Sequence, residues 1–448
     1  MNPPAGHPEP SAHAGRGAGL AGHRDTRLGP SPFAATGPSV VAATGFAVAC
    51  LVWLAAGDRL PGGRWIVVHI FTLGVLTVLI WSFSQHFATR FTATASTPTG
   101  RRSRAVLTGA LSGSIVSLLT GRALDAHLPL VLGSAGVMAI VGMNLAQLRR
   151  RRRRAAATRF AWVVRQYELA HIAFLGAAAL GGAMGAGWIP GPIFTAVRNT
   201  HIHLNVLGWA GLTVLATLSA FGPALLRVQI QPGDDKRAGT AVGLAAFGLA
   251  VATVGFLITS IGEGAGPPRV MAAGGLLVYG CAVTVVARPL LRAARRTDRS
   301  PLRFAVAATL AWFLLAIATD VVIVASGARG GATALGVMLL AGVLAQLVVT
   351  VLLYVAPMLR GRTFGARDRV IARVERFART RTATLNLGVA LVVAAEVAVP
   401  AGAPLAAAGW SLVCVAVLVH LAAVAWPLGD DDGAVRSSTA RRYRGPSA

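Results

Sequence analysis

Cysteine, lysine and acidic residues are all scarce in this chain. There are three cysteines in 448 residues, Cys50, Cys281 and Cys414. Each falls in an apolar stretch, far from the others and without metal-ligand spacing. That excludes a disulfide framework or a thiolate site built from neighbouring cysteines, and they read as small buried hydrophobes. Lys236 is the only lysine among 42 basic residues, a codon bias rather than a mechanism. Asp and Glu total 16, and charged residues make up only 13% of the chain, about half the share of a soluble domain. A P-loop, an HExxH helix, a GxGxxG between strand and helix, and a serine–histidine–acid arrangement are also absent. Nucleotide and hydrolase chemistry of the soluble kind therefore has no footing here.

What is present is apolar sequence in long blocks. The chain is 54% hydrophobic with a mean hydropathy of +0.63. A bilayer core is crossed by about 20 apolar residues in a helix, and runs of that length recur along nearly the whole chain. Helices are predicted at 38–56, 64–87, 104–121, 128–148, 161–187, 199–226, 237–262, 268–291, 303–326, 332–359, 381–400 and 404–427. The fold class is an all-α polytopic membrane protein of about twelve transmembrane helices. Residues 1–37, rich in Gly, Pro and Ala and including His7, His13 and His23, lack the layout of a signal peptide. They read as a disordered cytoplasmic tail, followed by a membrane domain over 38–427 and a second tail over 428–448. Between the tenth and eleventh segments, an Arg-rich stretch with Val370, Ile371, Val374 and Phe377 is expected to lie along the cytoplasmic surface.

The net charge of +26 invites a nucleic-acid reading, but its placement argues against one. Basic residues form short runs between apolar segments, as in Arg149 to Arg154. Twelve spans divide the connections into two sets. The set with both chain ends holds 36 of the 42 Arg and Lys; the other holds only Arg59, Arg64, Arg122, Arg198, Arg269 and Arg329. The positive-inside rule then places both termini in the cytoplasm of a cell bounded by its inner (plasma) membrane. The partner this implies is the lipid bilayer, not nucleic acid.

One internal repeat is visible. His69 precedes Gly74 by five residues, and His203 precedes Gly208 by five, 134 residues later. A further 134 reaches Val337 and Gly342, and Pro223 and Pro357 share that offset. The second, sixth and tenth segments thus read as equivalent members of three four-helix units.

Polar groups inside a bilayer mark function by default. The segment Thr-His-Ile-His-Leu-Asn-Val-Leu-Gly-Trp over 200–209 is the first such feature. On a helix, neighbours two apart point about 200° apart, so His201 and His203 cannot both ligate one ion. At least one can bind haem iron or copper through an imidazole nitrogen; the bland alternative is an interfacial, water-bonded pair. His69 sits at the same outer depth, which allows a joint site, whereas His86 beside Arg90 suits a structural or headgroup contact. Glu168 and His171 lie one turn apart and can pair with each other. Asp320 is placed to receive protons or to join a metal site. Gln346 lies in the tenth segment, and Asn144, Gln147, Asn205 and Asn386 suit bonds between helices.

Twelve helices, a histidine at the outer end of the second, histidine again in the sixth and three four-helix units together resemble subunit I of the haem-copper oxidases. They also resemble its smaller relatives, including NnrS-like haem- and copper-containing membrane proteins linked to nitric-oxide stress. The His-Ile-His-Leu-Asn-Val-Leu-Gly-Trp segment and the paired His69…His86-Phe segment look most like actinobacterial members of that wider group. The resemblance covers roughly 38–427, mostly as architecture. It implies haem or copper as cofactor and a role in nitrogen-oxide or copper handling or in electron transfer, with a redox partner or small-molecule ligand. His69 stands where the family ligates low-spin haem, and His201 or His203 where it ligates copper. The family's histidine pair in the seventh helix is missing. Its His-x-His in the tenth is replaced by Val337, Met338 and Gln346, which speaks against oxygen reduction. A haem here needs another axial ligand, for which Met338, His171 or the second histidine of the sixth helix stand available. Two rival readings are a secondary transporter and a non-catalytic assembly or sensor protein on the same scaffold.

Overall fold

The computed structural model describes residues 33–425, apart from 95–97, 156–159, 230–232, 260–265, 298–299, 329, 362 and 397–401. The two terminal tails, 1–37 and 428–448, therefore lie outside the described residues, save for 33–37. The rest is helical. In chain order the elements are α1 (Ala34–Ala56), α2 (Gly63–Phe91), α3 (Pro98–Ala123), α4 (His127–Arg154), α5 (Ala161–Gly185), α6 (Gly191–Leu226) and α7 (Asp234–Ile258). They continue with α8 (Gly266–Arg296), α9 (Arg303–Ser326), α10 (Ala332–Arg360), the short α11 (Phe364–Glu375), α12 (Ala378–Ala395) and α13 (Gly402–Ala425). Among the described residues, eleven helices are long and apolar enough to cross a membrane. The remaining long one, α12, has Arg379 and Arg381 in its first turn and forms a hairpin with α13. With no water in the hydrocarbon to satisfy backbone groups, a helix bonds every one internally. This is the expected all-α polytopic membrane protein.

The 134-residue repeat reappears as backbone geometry. Within α2, α6 and α10 the α-helix widens into π-helix over Ile70–Thr77, Leu204–Gly211 and Met338–Ala345. Each begins and ends 134 residues after the one before. The glycines of the repeat have a physical reason. A Cβ on Gly74 would lie 2.4 Å from Phe46 of α1, one on Gly208 2.6 Å from Ala173 of α5, and one on Gly342 2.8 Å from Trp312 of α9. In every unit the π-bearing helix presses against the first helix of its own unit at a point where only hydrogen fits.

The other two helices of each unit form a tight hairpin: α3 with α4, α7 with α8, α12 with α13. Small residues set the spacing. Gly248 faces Gly275 and Gly388 faces Gly409 with carbonyls in contact range of any added carbon; Gly275 and Gly409 are again 134 apart. Without a hydrophobic drive between helices in lipid, such close backbone approach is what holds them together. The helices α2, α6 and α10 are the most enclosed, with 61%, 61% and 67% of their apolar windows buried against 11–50% elsewhere. They form the inside of the bundle.

Two expectations need correction. The helix α6 starts at Gly191, eight residues earlier than its apolar run suggested, with Pro192 in its first turn, where the fixed φ of proline suits a helix start. His201 and His203 therefore sit about 15 Å along the helix rather than at its start. The amphipathic stretch after α10 does form a helix, α11, with Val370 and Val374 buried. Phe377 is not on its apolar face: it takes a left-handed turn (φ 57°) and stays 65% exposed. Ion pairing of Glu375 with Arg227 ties α11 to the end of α6.

Candidate functional site

The ends of α2, α6 and α10 remote from the chain termini surround a cavity of about 920 Å³, within the range of small-molecule and cofactor pockets. His69, His201 and His203 all line it.

His69 is oriented by its own helix. Its Nδ1 hydrogen-bonds the carbonyl of Trp65 one turn back at 2.8 Å, and the Trp65 indole stacks on its ring at 3.7 Å. Arg122 of α3 covers that indole at 5.8 Å, a cation–π contact. The Nε2 of His69 has no partner among the described residues.

His201 and His203 point apart, as their spacing requires. His201 turns toward α5, where its Nδ1 bonds the carbonyl of Ala177 at 2.7 Å. Room for the ring exists because position 181 is glycine: a Cβ there would lie 2.5 Å from the His201 Cε1. The Asn205 amide stands 3.4 Å from both ring nitrogens, equidistant and too long for a directed bond. The His69 and His201 rings lie 6.4 Å apart, centre to centre, with planes 20° from parallel. His203 turns the other way, to α9. Its Nδ1 bonds the carbonyl of Asn199 at 2.8 Å, and its Nε2 meets both carboxylate oxygens of Asp320 at 3.1 and 3.3 Å. Phe256 of α7 flanks the ring at 4.3 Å. Histidine and aspartate side chains are 12% and 3% exposed, so each supplies the partner that makes burial of the other tolerable.

Below the polar shelf the walls are apolar, with Val68, Leu73, Val137, Phe174 and Leu339. At the mouth stand Arg64, Arg122 and Arg198, from α2, α3 and α6, with Asp125 3.8 Å from Arg122. Half of the six arginines assigned to the arginine-poor side of the chain thus meet around this opening.

Apart from Asn205, which lines the cavity beside His201, the remaining sequence candidates lie elsewhere. Met338 is buried in the π segment of α10 and does not line the cavity. His171 is fully buried with both nitrogens engaged: Nδ1 with the Tyr167 carbonyl at 2.6 Å, Nε2 with the Asn144 amide at 2.8 Å. It does not pair with Glu168, which reaches Arg152 of α4 instead, at 2.6 and 3.1 Å. Arginine gives each carboxylate oxygen its own N–H donor, Nε to one and a terminal nitrogen to the other, whereas an imidazole nitrogen has a single N–H to share. His86 stacks on Phe33 at 4.4 Å near the opposite end of the bundle, a structural contact. Gln346 and Asn386 bond between α10 and α12, at 2.6 Å, and Trp312 donates to Asn386 at 2.7 Å. Asn205 bonds within its own helix, to the His201 carbonyl. Among the described residues no group of three or more His, Cys, Asp or Glu converges on one point. Sequence reasoning missed Trp65, Gly181 and the arginine rim. Gly181 sits in a run of small residues with nothing to single it out, and the arginines are scattered over 134 positions.

No family model matches the chain, and no curated protein matches it.

Proposed function

We propose that this chain is a plasma-membrane haem protein on a haem-copper-oxidase-like scaffold, with both termini cytoplasmic and the cavity near the outer face. His69 and His201 would hold its iron. The observation that carries the reading is the pair of near-parallel imidazoles lining one cavity, each with Nδ1 held by a backbone carbonyl. Metal-ligating histidines almost always donate their second nitrogen in this way, which leaves Nε2 for the metal. An imidazole nitrogen lies about 2 Å from a bound metal and about 1 Å from its own ring centre, so two imidazoles sharing one metal would have centres no more than about 6 Å apart. The pair meets that spacing, at 6.4 Å.

The donor set favours haem over a bare copper ion. Copper held by protein alone needs three or four ligands, or thiolates and thioethers for its reduced form. Two histidines suffice for haem iron, whose macrocycle supplies the other four nitrogens. The apolar walls suit the porphyrin, and Arg64, Arg122 and Arg198 suit its carboxylates. When bound, such a group supplies one-electron redox chemistry. With His69 and His201 both held to it, the iron would be left little room for a substrate, so electron transfer to a redox partner fits better than turnover of nitrogen oxides. A secondary-transporter reading has less support, because the repeat joins every fourth helix, whereas carriers repeat after six in the common case.

The test is the oxidised and reduced absorption spectrum of the detergent-purified protein, with iron and copper analysis on the same sample. A Soret band with stoichiometric iron, lost in His69→Ala and in His201→Ala but kept in His171→Ala, is expected. Folded protein with neither metal, from cells supplied with both, overturns the proposal. Copper without iron transfers it to a copper site.

A further inference from the structure

A second cavity lies at the opposite end of the bundle, where α5 and α7 run side by side in the same direction. Its volume is about 510 Å³, and it shares no residue with the first. The cavity is graded along its length. Trp162, Arg165, Asp235 and Lys236 stand toward the helix starts, and Gln166, Leu169, Gly239, Thr240 and Gly243 complete its wall. From Lys236 to Gly243 the axial rise is about 10 Å. The Trp162 indole packs on Gly239, where a Cβ would lie 3.2 Å from the ring. A tryptophan so placed marks headgroup depth.

Two polar atoms in this wall are buried without a partner: the Nε1 donor of Trp162 and the Oε1 acceptor of Gln166. Gln166 is only 5% exposed. Buried polar groups in proteins are nearly always bonded, so orphans of this kind ask for a ligand or a water. The missing bonds lie beside two cations, at the end of the bundle where the arginine-rich connections gather. Gly243 meets nothing within 4 Å of its Cβ position, so the groove is open at its apolar half.

We propose that the α5–α7 groove binds one anionic phospholipid of the cytoplasmic leaflet, its phosphate between Arg165 and Lys236 and an acyl chain along Gly239 and Gly243. Basic pockets between membrane helices on the cytoplasmic side recognise such headgroups. The indole N–H of Trp162 donates to a headgroup oxygen, and Gln166 and Asp235 accept from the hydroxyls of a glycerol headgroup. A free phosphate would use the cations but not the apolar half, which is why the lipid is the better occupant. This inference stands apart from the haem proposal, since the two cavities have no residue in common.

The experiment is native mass spectrometry of the full-length protein in detergent, titrated with palmitoyl-oleoyl phosphatidylglycerol. One tightly held lipid is expected. Arg165→Gln with Lys236→Gln should weaken it roughly 25-fold, from two basic contacts of about fivefold each. Gly243→Leu should weaken it comparably by filling the groove while leaving both cations in place. All these positions are solvent-open or point into empty space, and circular dichroism confirms folding. Arg149→Gln with Arg150→Gln, in the basic run of α4, should leave affinity unchanged. Equal losses in that control mean diffuse attraction and overturn the proposal, as does equal binding of phosphatidylcholine. Displacement by millimolar inorganic phosphate also overturns it, in favour of a small-anion site.

Discussion

Replacing Gly181 by alanine tests the haem proposal without touching a ligand. The new Cβ would lie 2.5 Å from the His201 Cε1 and 2.9 Å from its Nδ1, whereas carbon atoms in contact prefer about 3.5 Å. The ring must retreat by about 1 Å. Its bond to the Ala177 carbonyl, 2.7 Å long, would stretch beyond the outer limit of about 3.2 Å and be lost. Losing the partner that orients a ligating histidine weakens metal binding about 10–100-fold, or about 1.4–2.7 kcal/mol. Gly182 is the control: there a Cβ meets only Ser134, at an ordinary 3.7 Å. The assay is haemin titration of apo-protein from haem-deficient cells, followed by the Soret band. Gly181→Ala should bind 10–100-fold more weakly and Gly182→Ala like the wild type, with both folded by circular dichroism. The reasoning fails if Gly181→Ala binds haemin like the wild type, or if the two alanines weaken binding alike.

Three further outcomes follow from the packing. Asp320→Leu strands the His203 Nε2 in a buried place and should lower thermal stability in detergent by about 1–3 kcal/mol; Asp320→Asn, which keeps an acceptor, should lose less, and adding His203→Leu to Asp320→Leu should recover part of the loss. A full loss in the double variant would mean that the pair is not the reason for the cost. Gly275→Ala drives a carbon to 2.5 Å from the Ala252 nitrogen and the Gly248 carbonyl and should destabilise by about 1–3 kcal/mol. Gly274→Ala, which meets nothing within 4 Å, should be neutral in the same melt; equal melts would refute the close α7–α8 contact. In a cysteine-free background, cysteine at Trp188, which is 71% exposed between α5 and α6, should react with an impermeant maleimide on intact cells. Cysteine at Ala93, exposed after α2, should react only after lysis, and the opposite pattern would invert the assigned topology.

Much of the fold was legible in the sequence because its signals are local. Apolar blocks of helix length and Pro-Gly breaks each occupy one stretch of chain, and lipid leaves a helix as the only way to satisfy an apolar stretch. The 134-residue recurrence of Gly74, Gly208 and Gly342 was readable for a related reason: each glycine answers the same contact with the first helix of its unit, so the demand repeats with the structure.

The site was legible only in part. The spacing of His201 and His203 already required them to part company, by helix geometry alone. Tertiary structure decided which of the two faces His69, and it chose His201, because Gly181 on α5 leaves a hollow for that ring and Asp320 on α9 draws off His203. It also decided that His171 is used up by Asn144 and Tyr167, that Glu168 prefers Arg152, and that Arg64, Arg122 and Arg198 share one opening. These pairings join helices tens to more than a hundred residues apart. They depend on how far each helix is advanced and rotated against its neighbour, and an early start at Gly191 or a π turn after His203 shifts both. Periodicity along one helix holds no record of that register, which packing alone sets.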